Sequence, residues 1–409
     1  MKKVEAETQH PYLPDGIVVH ILAKLPVKSL LQFRCVSKYW RSLISDPKFT
    51  LSTQVVVMSM PILQTKYQKS VFVHVIDDEA SMKELPLPNP LRGPYYNGEP
   101  DLRGSCNGLV LVSCDQDLFL WNPTTRWCIK VLSHWRLGKY RYQPDSSFIS
   151  GLCYDSSTGD YKAVMASRAC NVAMAGSFRN KTWTEIHFPY TNKLLESGPT
   201  VNDRTHWLVH SGEYPRSHVM HNLIVSFDPQ MNEFVEVPMP QNEGIKRNIV
   251  YGFGVLGGCL SLALTSVHEG PKVTSVEVFA MRKYGDKASW TSLFVISDLI
   301  MWNPGYTSVA SLCSTTNGKV LFQEAPKKNG QGEGGVMSYN PERKSCMGVQ
   351  ILSRRAYCIT SFAETLVSPP CYNWETEDYT VISLSGQMRK YNTSRPGVDL
   401  SKWPSVGFK

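Results

Sequence analysis

Three stretches of the sequence share one turn: LFLWNPTTRWCIKV at 118–131, IVSFDPQMNEFVEV at 224–237 and VMSYNPERKSCMGV at 336–349. In each stretch an aromatic residue ends an apolar run, an Asn-Pro or Asp-Pro pair follows, and a second apolar run begins a few residues later. Asn and Asp side chains bond their own backbone in a tight turn, while Pro fixes φ and cannot continue a central strand. Each stretch therefore predicts a β-hairpin.

The spacing of these turns indicates a repeated architecture. Their proline residues are 106 and 112 residues apart, which exceeds two lengths of a typical propeller blade of about 40–45 residues. We therefore expect the turn to mark selected blades rather than every blade. Trp302-Asn303-Pro304 has the same order of an aromatic residue, Asn and Pro. Tyr154-Asp155 with Gly159 is a variant of the turn without proline.

From residue 52 onward, short runs rich in Val, Leu and aromatic residues alternate with Gly, Pro, Asn and Asp. Many short strands separated by turns are typical of β-sandwiches and propellers. About 22 strands can be counted, and at about four strands a blade they predict a large, all-β, propeller-like domain of about six blades, with five to seven possible. A sandwich of two sheets is the alternative.

The N-terminal segment has helical spacing instead. Ile17, Ile21 and Leu25 repeat at intervals of four, which predicts a first helix that ends where Pro26 begins a second. Ser37 is a candidate cap for a third helix. Three short helices bury too little of their own surface to be comfortably stable alone, so this small α-helical unit is expected to contact a partner or a neighbouring domain.

Charge and composition exclude several classes of protein. The formal net charge is +8, and residues 1–50 hold eight Lys and Arg against four Asp and Glu, which indicates an acidic partner or a solvated basic face. No long basic run favours a nucleic-acid partner, and no apolar run approaches the roughly 18–20 residues that span a membrane. Eleven cysteines without a CxxC pair and an N-terminus without a signal-like apolar core predict reduced thiols in the cytoplasm or nucleus.

The run LPDGIVVHILAKLPVKSLLQFRCVSKYWRSLI at 13–44 resembles the F-box in nearly all of its Leu-Pro, Ile-Leu, Phe-Arg-Cys and closing Trp and Leu-Ile positions. The resemblance implies an F-box over residues 10–50 that binds a Skp-family adaptor and, through it, a cullin. The adaptor contacts that it implies are Leu13, Pro14, Ile21, Leu22, Leu25, Pro26, Leu30 and Trp40. Gly16 and His20 stand where the family usually has acidic residues, and we expect Asp15 to supply the helix-capping oxygen instead.

A second resemblance runs from residue 104 to residue 322. The segments GSCNGLVLV, LWNPTTR, GLCYDSSTGDYKAV, TWTEI, HWLV, SFDPQMNEFVEVPMP, GVLGGCLSL and TNGKVLF follow the order of the F-box-associated domain of plant F-box proteins, including the kelch-type group. The domains that this implies are a linker with first strands over 51–100, a propeller-like domain over 101–395 and a C-terminal tail over 396–409.

The two resemblances together imply the substrate-recognition subunit of a Skp, cullin and F-box ubiquitin ligase, which holds a client protein. Such a chain needs no cofactor or metal and catalyses nothing itself. The alternatives are a ligase-independent binding protein and a propeller enzyme or lectin.

Motifs that suggest other chemistry have structural explanations. GFGVLG at 252–257 satisfies GxGxxG, but the run CLSLALTS follows it where a nucleotide site needs a helix, so we expect a tight hairpin. His206 and His210 lie in a predicted strand, where residues four apart are about 13 Å apart and cannot share one metal ion without a bend. No GxSxG elbow of a hydrolase occurs.

Loops on one face of a propeller usually carry its binding specificity. The candidate client contacts are therefore Tyr95, Tyr96, Lys327, Lys328, Arg354 and Arg355. The alternative for each is a plain solvated loop residue.

Overall fold

A computed structural model gives the fold and describes residues 13–46, 49–61, 71–76, 82–88, 91, 100–114, 117–133, 148–167, 172–190, 198–211, 221–240, 248–266, 275–297, 310–315, 317–323, 336–349, 354–367, 378–382, 385 and 388–392. Within these ranges three α-helices precede 26 strands. The expected division into an N-terminal helical module and a large all-β domain is confirmed. None of the described helices is long and apolar enough to cross a membrane.

The helices are α1 (Asp15–Ala23), α2 (Val27–Phe33) and α3 (Lys38–Ile44). Pro26 immediately precedes α2, so the proline separates the first two helices as expected. Ser37 caps α3, because its hydroxyl accepts a 3.1 Å hydrogen bond from the backbone N–H of Trp40. The predicted three-helix pattern is therefore confirmed.

The predicted capping role of Asp15 is wrong. Pro14 occupies the cap position of α1, and no side chain makes a capping hydrogen bond there. A capping residue must precede the first helical residue, whereas Asp15 lies within the helix. Its carboxylate instead accepts a 2.7 Å hydrogen bond from the Tyr39 hydroxyl, which ties α3 to the start of α1.

The described strands are β1 (Thr53–Pro61), β2 (Phe72–Ile76), β3 (Met82–Leu85), β4 (Asp101–Cys106), β5 (Leu109–Cys114), β6 (Asp117–Asn122), β7 (Trp127–Ser133), β8 (Phe148–Asp155), β9 (Asp160–Ser167), β10 (Val172–Ser177), β11 (Thr182–His187), β12 (Thr200–Val201), β13 (Arg204–Ser211), β14 (His221–Asp228), β15 (Glu233–Val237), β16 (Asn248–Leu256), β17 (Cys259–Ser266), β18 (Ser275–Met281), β19 (Trp290–Ser297), β20 (Ala310–Ser314), β21 (Val320–Gln323), β22 (Val336–Asn340), β23 (Ser345–Val349), β24 (Arg354–Ala363), β25 (Asp378–Ile382) and β26 (Met388–Asn392).

These strands form antiparallel groups of four, which we call blades and number from the N-terminus. Blade 1 holds β24 with β1–β3, and blades 2 to 6 hold β4–β7, β8–β11, β12–β15, β16–β19 and β20–β23. Blades 5 and 6 share one eight-stranded sheet because their first strands, β16 and β20, pair in parallel. Counted by hydrogen bonding, the described strands therefore form five sheets.

Apolar side chains fill the spaces between neighbouring blades. Each of six clusters of described residues joins one blade to the next, and the sixth joins blade 6 to blade 1. Trp121, Trp183 and Trp207 are the largest fully buried side chains in these clusters. The blades thus close into a ring, which confirms the propeller-like fold and excludes a two-sheet sandwich.

Blade 1 closes the ring with strands from both ends of the chain. β24 pairs with β1 along its whole length, from Thr53 opposite Ala363 to Pro61 opposite Arg354. The region from residue 51 to residue 100 therefore supplies three strands of the propeller. The hairpin β25–β26 then extends the outer edge of blade 3, where β25 pairs in parallel with β11. The predicted tail, 396–409, lies outside the described residues.

The Asx turns predicted from sequence are confirmed. The side-chain oxygens of Asn122, Asp228 and Asn340 each accept hydrogen bonds of 2.9–3.3 Å from the backbone N–H groups two and three residues further on. Asp155 makes the same bonds without a following proline. The turn at Trp302 lies outside the described residues.

The turns that contain proline connect the third and fourth strands of blades 2, 4 and 6. In blade 3 the Ser177 hydroxyl takes the place of the Asx oxygen and accepts a 3.1 Å hydrogen bond from the N–H of Asn180. In blade 5 a longer connection with a 3-10 turn at Lys287–Ser289 replaces it. The turn therefore marks alternate blades, which explains its spacing in the sequence.

The GFGVLG motif forms a tight hairpin, as predicted. Gly257 and Gly258 join β16 to β17 with φ values of 55° and 76°, in the left-handed region that favours glycine. A Cβ at Gly254 would lie 1.9 Å from the backbone oxygen of Leu312 in β20. Glycine is therefore needed there for the close approach of blades 5 and 6.

Candidate interaction surfaces

The three helices enclose a small apolar core. Leu22, Leu30 and Ile44 are at most 1% exposed and cluster with Phe49 and Leu366. Leu366 follows the last inner strand of the propeller, so this core is completed by a residue from near the other end of the chain. Burial of the inner side leaves the outer side of the helices as the candidate interaction surface.

Six apolar side chains of the helical module are 43–63% exposed, and we call them the apolar patch: Leu13, Ile17, Ile21, Leu31, Val36 and Tyr39. Residues four apart on a helix are neighbours, so Ile17 and Ile21 form one row on α1. The hydrogen bond from Tyr39 to Asp15 places α3 beside that row. A cluster of exposed apolar side chains is typical of a surface that binds another protein.

The same helices carry exposed basic residues: Lys24, Lys28, Lys38 and Arg41. None of them forms an ion pair with a residue that the structure describes. Exposed positive charge beside an apolar patch favours an acidic partner, because complementary charge steers association.

The eight predicted adaptor contacts fall into three groups: Leu13, Pro14, Ile21 and Pro26 are exposed, Leu25 and Trp40 are half-buried, and Leu22 and Leu30 are buried. The exposed group is available to a partner without rearrangement, whereas the buried pair supports the helices from inside. Contact of the set with an adaptor stays a prediction.

Sequence reasoning did not include four members of the apolar patch: Ile17, Leu31, Val36 and Tyr39. The spacing of Ile17 and Ile21 was a usable signal, because two residues four apart share a helix face. For the others the exposed side depends on how α2 and α3 pack, which the spacing does not determine.

The helical module lies at the end of the propeller where the inner strands finish. Gly108, just after β4, approaches Thr365, just after β24, so these two inner strands end side by side. β16 and β20 also run in the same direction. Since Leu366 enters the helical core, the module contacts this end of the ring.

Two of the six candidate client contacts, Arg354 and Arg355, lie at the end of the propeller where β24 begins, opposite the helical module. Arg354 and Arg355 are the first residues of β24 and pair with Pro61 and Met60, far along the strand from Ala363. Nothing is described of the Arg354 and Arg355 side chains. Tyr95, Tyr96, Lys327 and Lys328 lie outside the described residues, between β3 and β4 and between β21 and β22. Client contact by these six residues stays a prediction.

A cavity of about 520 Å³ is lined in part by the inner strands β4, β16, β20 and β24. Its wall includes hydroxyl groups that bond within the protein: Ser105 donates to the Ser361 carbonyl, and Thr200 donates to the Leu152 carbonyl at 2.7 Å. Asp203 is the charged residue of the described lining. The hydroxyl groups of Ser105 and Thr200 thus donate their hydrogen bonds within the protein.

His206 is fully buried on β13 and has a structural environment. Its Nε2 lies 2.7 Å from the Tyr284 hydroxyl and its Nδ1 lies 3.2 Å from the Pro199 carbonyl. A carbonyl only accepts, so Nδ1 donates and Nε2 accepts from Tyr284. Burial lowers the pKa of His206 to about 4, so the ring is neutral. Both ring nitrogens of His206 are thus engaged within the protein, and no group of three or more His, Cys, Asp or Glu residues that could hold a metal ion occurs among the described residues.

Two family models match the chain. The F-box domain matches residues 11–52, and the F-box associated beta propeller domain matches residues 55–339. The second match covers well over half of the chain, so the chain belongs to the F-box proteins that carry an F-box-associated propeller. This organisation is that of substrate-adaptor F-box proteins in general.

Relatives of this kind occur in Arabidopsis thaliana. The F-box/kelch-repeat protein At3g23880 is 28% identical over 336 residues, which cover 76% of this chain and 85% of that protein. F-box protein CPR1 is 27% identical over 322 residues, which cover 69% of this chain and 73% of that protein. A solved hypothetical selenium-binding protein from Sulfolobus tokodaii is 12% identical, with a low TM-score of 0.38 over 80% of this chain and 98% of that chain.

Proposed function

We propose that this chain is the substrate-recognition subunit of a Skp, cullin and F-box ubiquitin ligase. The observation that carries the proposal is the apolar patch on α1–α3, which stays exposed although the helices are packed on the propeller. A Skp-family adaptor covers this patch, and a cullin binds through the adaptor. The basic residues of the helices favour an adaptor with an acidic surface.

Several patch residues must act together. Burying one large apolar side chain contributes roughly 1.5–3 kcal/mol, whereas association costs several kcal/mol. One anchor is therefore insufficient for a stable complex.

The client protein binds the end of the propeller that lies away from the helices. Arg354 and Arg355 lie at this end, where β24 begins, and the helical module contacts the other end. The chain itself is non-catalytic in this proposal. It acts by proximity, because holding a client lysine near ubiquitin raises the effective concentration of the reacting groups.

A reducing compartment, the cytoplasm or the nucleus, suits this role. Cys35, among the described cysteines, is an exposed thiol that a reducing compartment would keep reduced. Imaging of the tagged chain in plant cells tests this localisation, and a secreted chain contradicts it.

The double variant Leu13→Ala, Pro14→Ala tests the proposed function. We expect it to lose co-purification of the adaptor and cullin while the propeller stays folded, because it trims the exposed end of the patch. Met347→Ala, at a 71% exposed side chain of β23, is the control and should keep both partners. Unchanged co-purification with the double variant contradicts the proposal. Adaptor without cullin favours a ligase-independent binding protein.

A further inference from the structure

The segment after β24, residues 364–367, is paired with the chain that leaves the F-box. The Leu51 N–H donates to the Glu364 carbonyl at 2.9 Å, and the Glu364 N–H donates to the Ser52 carbonyl at 2.6 Å. The Ser52 hydroxyl also donates to the Glu364 carboxylate, across 312 positions of sequence. We call residues 364–367 the junction segment.

The middle of the junction segment enters the F-box. Leu366 is fully buried and clusters with Leu22, Leu30, Ile44 and Phe49. Each of the three helices contributes one of these buried side chains, so Leu366 contacts the point where the helices meet. Removing such a side chain from a core leaves a cavity that surrounding atoms fill only partly.

The rest of the junction segment is fixed to blade 2. The Asn122 amide group donates to the carbonyls of Thr365 at 3.0 Å and Val367 at 2.9 Å, while its oxygen holds the Asx turn. The Thr365 hydroxyl donates to the Asn107 carbonyl at 3.3 Å, and Val367 is buried in the cluster between blades 2 and 3. One side of the segment thus contacts the helices and the other contacts the propeller.

We propose that the junction segment is part of the F-box, so that the adaptor-binding surface of this chain is formed correctly only when the last inner strand of the propeller is in place. Leu366 and Asn122 are positioning residues, because they act through the helices and touch no partner. Resting on the proposed function, the same contacts fix the position of the adaptor-binding helices on the propeller.

Asn122→Asp tests the proposal in the full-length chain. The carboxylate keeps an oxygen for the Asx turn, but it loses the donor to the junction segment and faces two carbonyl oxygens. Hydrogen exchange should accelerate about tenfold or more in α1–α3, with little change in strands β8–β23. Asn340→Asp is the matched control, because the described hydrogen bonds of Asn340 are those of its turn; it should leave exchange in the helices unchanged.

Leu366→Ala is the second variant, and Leu366→Met is its conservative counterpart. We expect Leu366→Ala to accelerate exchange in the helices and to weaken adaptor binding at least tenfold, and Leu366→Met to restore both. Unchanged exchange in the helices, or equal acceleration throughout the propeller, overturns the proposal. Because exchange is measured without an adaptor, failure of the wild-type chain to bind an adaptor refutes the proposed function and not the role of the junction segment.

Discussion

The ammonium group of Lys162 lies 3.1 Å from the carboxylate of Asp155, and the two side chains are 11% and 3% exposed. Lys162 also donates to the Pro229 carbonyl and, at 3.0 Å, to the Asn232 side-chain oxygen. Both acceptors belong to the Asx turn of blade 4, whereas Asp155 belongs to blade 3. A buried charge therefore joins neighbouring blades at the end of the propeller where the inner strands finish.

Lys162→Met is expected to lower the free energy of unfolding by about 3–5 kcal/mol, because it leaves a buried carboxylate without its cation. Chemical denaturation followed by tryptophan fluorescence measures the loss. Lys283→Met is the matched control, since Lys283 is 80% exposed and its pair with Asp286 is a surface pair. Equal losses of unfolding free energy in Lys162→Met and Lys283→Met would show that the buried pair stabilises the fold no more than a surface pair does.

Asp155 makes the stability depend on pH in strong acid. Burial alone would raise the pKa of Asp155, but hydrogen bonds from Ser157, Lys162 and Thr158 outweigh it and lower the pKa from 3.8 to about 2. A carboxyl group with a lowered pKa stabilises the fold above its unfolded-state value, and the contribution is lost as pH falls from 3.8 towards 2. The slope of unfolding free energy against pH should be smaller in Asp155→Asn over this range; an unchanged slope contradicts the assignment.

His206 gives a second pH dependence at milder acidity. Burial lowers the pKa of His206 from 6.5 to about 4, and the nearby Arg204 adds to the effect. Between these values the unfolded chain binds a proton that the folded chain does not, so stability falls as pH falls from 6.5 towards 4. Thermal unfolding of His206→Gln should show a flatter profile over this range. If the wild-type and variant profiles are parallel, the ring of His206 is not the titrating group.

The two sides of the F-box helices should respond differently to substitution. Ile17→Asp with Ile21→Asp places charges on the apolar patch, so adaptor binding should be lost while the melting temperature hardly changes. Leu22→Ala removes a buried side chain and should destabilise the module by about 2–5 kcal/mol. Calorimetry of the free chain and titration with adaptor separate the effects. Loss of folding in the double variant would show that the patch faces inward.

Much of the fold followed from local chemistry. The Asx turns were predictable because Asn122 and Asp228 bond their own backbone within three residues, and the helix boundaries followed from Pro26 and Ser37. The predicted capping role of Asp15 at α1 is the exception, and its cause also lies within the first residues of the helix. Asp15 lies one residue beyond the cap position of α1, and its carboxylate accepts a hydrogen bond from the Tyr39 hydroxyl instead.

Long-range contacts were beyond the sequence pattern. The insertion of Leu366 among the F-box helices joins residues far apart in the chain, and no spacing rule connects them. The contact between Lys162 and the turn at Pro229 depends likewise on how two blades pack. The exposed side of the helices was only partly predictable for the same reason. Which helical side chains are buried depends on where the propeller packs against the module.

The most direct measurement of the central claim is light scattering during size-exclusion chromatography of the full-length chain mixed with a purified Skp-family adaptor. We predict a single species with the mass of a one-to-one complex, which Ile17→Asp with Ile21→Asp dissociates. Separate elution of the wild-type chain and the adaptor, with each at its own mass, would contradict the account.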